Sequence, residues 1–422
     1  ICAGRFERPV QSSNLIRVGG LKHIRPATNS RGTLMLGKKS LTLVGDGTKG
    51  SRIHDLVKAP ANTPWAKAKQ QSWDASEPAT VYYTPETLAD GTPCSAVTVI
   101  LRTKGCHWWW SSGCTFCGYF NDTRDDVTND DLHAQWAYAK SKFDDFKDHG
   151  MVKVYTSGSL LEDREIPVEF QETVLRDCQT LGKELIVESR CEQLTEEKLA
   201  WATSINTSFA VAIGLEAYDD EVLRFHVNKG FTTKSWDRAV TNLKKFNIRV
   251  KTYLMFKPPF MNEADALLHG VKWIEDVAEQ SDEISVNPMN IQRGTIIDRL
   301  HRHNEYRPPW LWSLVEMIRR AHPTIHPKNT GNGGEGQVSR LIVHPTAGGR
   351  VRGAHNCGSC DAEVVAAIER YAVSGELEEF DGLSCECEKA WAEEISLEHA
   401  LPTPLGISKP RRGNVLDALR AP

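Results

Sequence analysis

The sequence predicts an α/β protein: a partial (β/α)6 TIM-like barrel followed by a small C-terminal Cys-rich metal-binding module. Three observations predict it. Between residues 95 and 329, short apolar β-rich runs alternate with helical stretches six times. The runs are nearly continuous in apolar residues, the pattern of a parallel sheet with both faces covered. Seven of the eleven cysteines fall into two tight groups, one directly after the first strand and one near the C-terminus.

In chain order, residues 1–50 show no sustained helix or strand period and open on Ile, so they are expected to be a poorly ordered or spurious N-terminal extension. Residues 51–94 read as a lead-in segment. The expected strands are 95–103, 152–158, 184–189, 208–216, 249–257 and 283–290. The helical stretches are 129–150, 167–182, 195–204, 234–247, 262–280 and 308–322. Six βα units suit a partial barrel. An open doubly wound sheet is less suitable, because no G-x-G-x-x-G follows a strand. The Gly-rich TGNGGEGQVSR at 330–340 marks a boundary. Beyond it, 330–397 is read as the Cys-rich module and 398–422 as a flexible, Pro-rich tail.

With 422 residues, 40% hydrophobic, 25% charged and a net charge of −4, the chain has the composition of a soluble globular protein without a global basic field. A nucleic-acid partner would need a local basic patch. No apolar run approaches the roughly 20 residues that span a bilayer, and no secretory pattern opens the chain. A cytoplasmic setting without membrane contact is expected. There, grouped cysteines point to metal rather than to disulfides. Cys2, Cys94, Cys178 and Cys191 are scattered and read as structural.

Cys106, Cys114 and Cys117 form C-x7-C-x2-C in the loop after the first strand. Loops after barrel strands build active sites. Three thiolates suit a [4Fe–4S] cluster with one iron left open. With His107 they would also suit a Cys3His zinc site. Spacing alone leaves both open, but a structural zinc knuckle has no reason to sit at a barrel mouth.

At this loop the sequence resembles the radical S-adenosylmethionine (radical SAM) superfamily, with Phe116 in the aromatic position before the last Cys. The seven-residue gap departs from the usual three and is closer to the Elongator-catalytic-subunit/MiaB-like radical SAM core. The blocks RTKGCHWWWSSGCTFCGYFND, YTSGSLLE, VESRCEQL, GLEAYDDEVLRFHVNKGF, KTYLMFKPPF and NPMNIQRGT together resemble the archaeosine-biosynthesis radical SAM family (RaSEA, the archaeosine synthase radical subunit) over about residues 95–395.

That resemblance implies a [4Fe–4S] cluster on Cys106, Cys114 and Cys117, and SAM as cofactor. Phe116 would lie near the adenine, and Gly158 and Ser159 would offer backbone to the methionyl amino group. Glu188 would meet the ribose, Arg190 the carboxylate, and Asn287 the SAM. Glu216, Asn290 and Gln292 are the candidate catalytic residues; Glu216 could equally form an internal pair with Lys251 or Lys257. The implied chemistry is reductive cleavage of SAM to methionine and a 5′-deoxyadenosyl radical. The radical takes hydrogen from the lysine joined to 7-cyano-7-deazaguanine at position 15 of the tRNA D-loop, and C–N scission leaves archaeosine. The implied partners are tRNA, the archaeosine synthase that adds the lysine, and an external one-electron reductant, in an archaeal source.

Cys357, Cys360, Cys385 and Cys387 read C-x2-C-x24-C-x-C, a second metal site for zinc or an auxiliary Fe–S cluster. His355 beside it is read as a solvated loop residue. Trp108, Trp109 and Trp110 would shield the cluster loop or stack RNA bases. Lys244, Lys245, Arg249, Arg299, Arg302, Arg307, Arg350, Arg352 and the KPRR run at 409–412 are candidate phosphate contacts. Two other functions remain open at this point. One is another radical SAM tRNA modification, of methylthiolation or carboxymethylation type. The other is a non-catalytic two-zinc RNA-binding protein.

Overall fold

The computed structural model describes residues 33–36, 39–42, 55, 57–58, 63–325 and 340–400. Most of 1–50, the Gly-rich stretch up to residue 339, Cys2 and the KPRR run lie outside the described residues. Within 1–50, where no regular element was expected, Thr33–Leu36 (β1) and Lys39–Thr42 (β2) pair as an antiparallel ribbon. It belongs to a compact unit ending at Thr42; a second unit runs from Leu43.

In the second unit, helix α1 (Pro64–Gln71) starts on Thr63, whose side chain accepts from the Ala66 N–H, with Pro at the first helical position. An eight-stranded sheet follows. It consists of β3 (Thr80–Thr87), β4 (Pro93–Ile100), β5 (Met151–Tyr155), β6 (Glu184–Ser189), β7 (Phe209–Glu216), β8 (Arg249–Phe256), β9 (Glu283–Pro288) and β10 (Arg340–Val343). The strands lie in sequence order across the sheet. All neighbours are parallel except the antiparallel β3–β4 pair. The six expected strands are β4 to β9. β3 arises from the lead-in, and its Pro85 is tolerated because β3 is an edge strand.

The helices after the strands are α2 (His107–Ser111), α3 (Asn129–Lys142), α4 (Val168–Thr180), α5 (Glu196–Ile205), α6 (Thr233–Lys245), α7 (Glu263–Val277), α8 (Ile296–Arg302) and α9 (Leu311–Ile325). Thr128 and Asp131 form a reciprocal capping box at α3, and Thr195, Asn262 and Thr295 cap α5, α7 and α8. Trp136, Trp236 and Trp273, from α3, α6 and α7, are fully buried against the sheet.

The Cys-rich segment builds directly onto the barrel. β10 adds to the main sheet beside β9, and α10 (Asp361–Ser374) and α11 (Cys387–Ala400) share its hydrophobic core through Ile368, Tyr371 and Trp391. The Glu398 carboxylate accepts from the N–H groups of Glu263 and Ala264 at the start of α7. Of the expected tail 398–422, the first three residues therefore complete α11. The two edges of the curled sheet meet where Arg340 Nη1 lies 3.5 Å from Glu86 Oε2, closing the lower end of the barrel.

Candidate functional site

The loop between β4 and α3 carries Cys106, Cys114 and Cys117, and all three line a cavity of about 790 Å³ inside the curl of the sheet. The long first gap is taken up by α2. This short helix puts Trp109 into a stack with Phe120 (4.3 Å, 6°) and points the Trp108 indole N–H at the Asn228 carbonyl (2.8 Å). Gly230 lets Trp108 pack there, since a Cβ on it would come within 2.5 Å of the indole. Trp108 and Trp109 are thus packing residues, whereas Trp110 is 52% exposed.

Burial pushes the Cys106 and Cys117 thiols up, and Cys114 up to about 11. Thiolates here therefore need a strongly cationic ligand beside them. His107 Nδ1 lies 3.0 Å from Glu162 Oε2, and His107 is not gathered with the three thiols into a metal-ligand group. Among the described residues, only Cys357, Cys360, Cys385 and Cys387 gather all their ligand atoms within 4.8 Å of one another. A single zinc ion needs sulfurs about 3.8 Å apart, from Zn–S bonds of about 2.3 Å. The three loop thiols do not form such a group, and a cubane does not ask it of them, since each sulfur there binds a different iron.

No protein-family model matches the chain. Two archaeal relatives named archaeosine synthase subunit beta do. That of Methanosarcina acetivorans is 34% identical over 328 residues, 76% of this chain and 91% of its own. That of Thermococcus kodakarensis is 30% identical over 317 residues, 74% of this chain and 94% of its own. The chain belongs to the archaeosine synthase subunit beta family. The resemblance of its blocks to the archaeosine-biosynthesis radical SAM family is thereby borne out. Among solved structures, an archaeal Elp3 of Methanocaldococcus infernus with an N-terminal deletion has a TM-score of 0.44 at 16% identity, over 61% of each chain. Methylornithine synthase (PylB) has a TM-score of 0.41 at 12% identity, over 79% of this chain and 86% of its own.

Of the sequence-predicted residues in this family member, Phe116, Gly158, Glu188, Arg190, Glu216, Asn287, Asn290 and Gln292 all line the cavity with the three cysteines. Ser159 does not. It is fully buried, its Oγ accepting from the Arg190 N–H and its own N–H donating to Glu165 (both 2.8 Å). Instead of Ser159, Thr156, Ser157 and Gly158 present the β5 loop to the cavity. Gly158 is required because a Cβ would lie 2.8 Å from the Cys106 Cα.

Two of the expected catalytic groups are already engaged. Gln292 Oε1 accepts from the Gly118 N–H at 2.6 Å, so it braces the cysteine loop. Glu216 does not pair with Lys251 or Lys257, which pair with Glu283 and Glu263 respectively. Its partner is Lys229 (2.8 Å), brought in by the π-helical turn Val222–Val227 and the left-handed Asn228 that follows it. Burial works against the Lys229 charge, but Glu216 and Cys114 outweigh it and raise the ammonium above its ordinary value. Arg190 donates to Glu192 (2.6 Å) and to the Lys229 carbonyl (3.1 Å), and lies 5.8 Å from the Trp108 ring.

Burial also pushes Glu188 up to about 8 and Glu165 up to about 7. Glu165, unmarked in sequence, accepts from Thr103 Oγ1 (2.6 Å) and stands behind Gly158. Lys229 and Lys153 also line the cavity without having been singled out in the sequence, whereas Lys251, considered there only as a partner for Glu216, lines it too. Lys153, the one charge in the apolar strand MVKVY, carries a signal in the sequence, because buried charge needs a reason.

In the second group, Cys357 and Cys385 are 3.7 Å apart, as are Cys360 and Cys387. The Asn356 amide donates to Cys360 Sγ and the Trp312 indole to Cys387 Sγ, each at 3.3 Å. His355 turns its Nδ1 to the Gly353 carbonyl and is not among the gathered ligands, which are the four cysteines. Most of the candidate phosphate contacts are internally engaged. Lys245 pairs with Glu196, Arg249 with Glu184, and Arg302 and Arg352 with Asp298, while Arg350 lines the cavity. No described helix is long and apolar enough to cross a membrane.

Proposed function

We propose that this chain performs the radical SAM step of archaeosine formation, C–N cleavage of the lysine adduct of 7-cyano-7-deazaguanine at position 15 of the tRNA D-loop. The observation that carries it is the set of three loop thiols that line one cavity with Phe116, Glu188 and Arg190, in a chain 34% identical to an archaeosine synthase subunit beta. Cys106, Cys114 and Cys117 would hold a [4Fe–4S] cluster, and SAM would bind beside it. When bound, the pair supplies one-electron chemistry at carbon.

The chain's own part is to position and to exclude water. Thr156 to Gly158 offer backbone groups to the methionyl amine, and Phe116 offers a face to the adenine. Glu188 accepts from the ribose, and Asn287 hydrogen-bonds SAM beside it. The unused N–H groups of Arg190 take the carboxylate. Glu216, held by Lys229, and Asn290 face the substrate; Gln292 acts through the loop that it braces.

The name of the relatives, a subunit, and the lysine on the substrate imply a companion subunit that installs it. tRNA and an external one-electron reductant complete the partners. The second cysteine group, with pairs at 3.7 Å, suits one tetrahedral ion, and we assign it zinc. Anaerobic incubation of the reconstituted protein with lysine-adduct tRNA, SAM and a reductant, followed by nucleoside mass spectrometry, tests the reading. Archaeosine is expected; 5′-deoxyadenosine without archaeosine would overturn the substrate.

A further inference from the structure

The cavity does not end at the cysteine loop. It continues down the barrel to a charged floor where Glu86, Lys153, Lys251 and Ser285 line it. Lys153 pairs with Glu86 and Lys251 with Glu283, while Arg340 lies 3.5 Å from Glu86 and 3.7 Å from Glu283. Three cations therefore face two carboxylates, leaving one positive charge in excess. Stability alone does not call for such a floor, because apolar residues of similar volume serve a barrel bottom as well as buried ion pairs or better. The room is built in as well: Ala96, Ala210, Ala212 and Gly214 are the small residues at inward positions of β4 and β7.

A second observation points to a ligand. Ser285 is 1% exposed and lines the cavity, and its hydroxyl has no hydrogen-bond partner. Buried hydroxyls are nearly always paired, so an unpaired one facing a cavity marks where a ligand's polar group belongs. Strand register puts Ser285 opposite Tyr253, two residues above Lys251 and Glu283.

We propose that this floor is the carboxylate subsite for an amino-acid arm of the substrate, bound by the Lys153 and Lys251 ammoniums and the Ser285 hydroxyl. Each ammonium has three N–H donors and gives one to its glutamate, so both have donors to spare. Strand register places Ser285 in the layer of Tyr155, Glu188 and Tyr253, roughly 6.6 Å along the strands above the Cα atoms of Lys153 and Lys251. A carboxylate held by all three side chains therefore sits between the two layers, and its chain leads toward the strand tips that carry the cysteine loop. The inference rests on the proposed function for the identity of the arm, and gives the floor a specificity role within it.

The test compares tRNA carrying the lysine adduct with tRNA carrying the cadaverine adduct, which differs only by lacking the carboxylate. Dissociation constants and conversion are both measured on the cluster-loaded full chain. The wild type is expected to bind the lysine adduct about 100-fold more tightly than the cadaverine adduct, the scale of a buried charge-assisted contact. Lys251→Met should lose most of that discrimination. Because this variant strands Glu283 and can fail to fold, Ser285→Ala is the second probe. It removes a hydroxyl with no protein partner, so the melting temperature should hold while lysine-adduct binding weakens about 5–10-fold and cadaverine-adduct binding stays unchanged. Equal affinity for the two adducts, equal conversion of both, or equal weakening of both by Ser285→Ala overturns the subsite and leaves the reaction intact. Carboxylate-dependent binding without any archaeosine upholds the subsite and overturns the reaction.

Discussion

Gln292 and Gly118 join the two ends of the candidate site: the Gly118 N–H, one residue past the last loop cysteine, donates to Gln292 Oε1 at 2.6 Å. Asn121 reinforces the link, its amide donating to the Gly118 and Arg293 carbonyls. The segment after β9 thus fixes the path of a loop that follows β4, 174 residues away in sequence.

Gln292→Ala should accordingly act on the cluster before it acts on turnover. Losing one buried hydrogen bond costs about 1 kcal/mol, enough to loosen the loop without unfolding the barrel. Iron per chain after reconstitution should fall, with SAM cleavage falling about tenfold in parallel. Cys117→Ala should abolish both. Normal iron content with SAM cleavage lost in Gln292→Ala would make Gln292 a catalytic residue after all.

The Glu216–Lys229 pair predicts a non-additive pattern in stability. Both groups are buried, so removing one strands the other's charge. Lys229→Met should cost about 3–5 kcal/mol in denaturant unfolding, and the double variant Lys229→Met/Glu216→Leu should recover most of it. Glu216 also holds a left-handed backbone at φ 73°, unusual for a non-glycine residue, at the irregularity where β7 meets β8. That conformation points to a role at the mouth of the cavity, so the recovered double variant should remain inactive.

How far the sequence carried depends on what kind of information each element needs. Six strands and their helices were legible because each is a long periodic block, and FAVAIGL could hardly be anything but a buried strand. β10 was not legible, since RLIV is four residues whose pairing with β9 is purely tertiary. The cavity-lining residues at strand tips, such as Glu188 and Asn287, followed from their place in the barrel. Hydrogen-bond commitments did not: nothing in NPMNIQ says that Gln292 faces a backbone N–H rather than a substrate. The same holds for Glu216, whose lysine lies 13 residues on, across a π-helical turn that has no sequence signature.

Glu165 sets a pH dependence of stability in the cluster-free chain. Burial raises its carboxyl from 4.5 to about 7. An acid whose pKa is higher in the folded state binds its proton more tightly there. Its contribution is therefore fully present below about pH 4.5 and is lost as pH rises to about 7. The change is at most about 3 kcal/mol, at about 1.4 kcal/mol per unit. Glu165→Gln, which cannot ionise, should flatten the unfolding free energy over that window. An unchanged slope would mean that Glu165 is ionised in the fold.

The four C-terminal thiols predict a metal whose loss is structural rather than catalytic. Asn356, which donates to Cys360 Sγ, also accepts from the Leu311 N–H at the start of α9. Trp312, which donates to Cys387 Sγ, lies on that helix. The site therefore ties α9 to the starts of α10 and α11. A chelator strong enough to remove zinc, or Cys385→Ser, should lower the melting temperature by several degrees and remove one metal per chain while leaving reconstituted iron near four per chain. Four further irons at this group would contradict the single tetrahedral ion that sulfurs 3.7 Å apart describe. Because α9 packs on α7, whose first turn is held by Glu398, the loss should spread along that face and spare the cysteine loop at the opposite edge of the sheet.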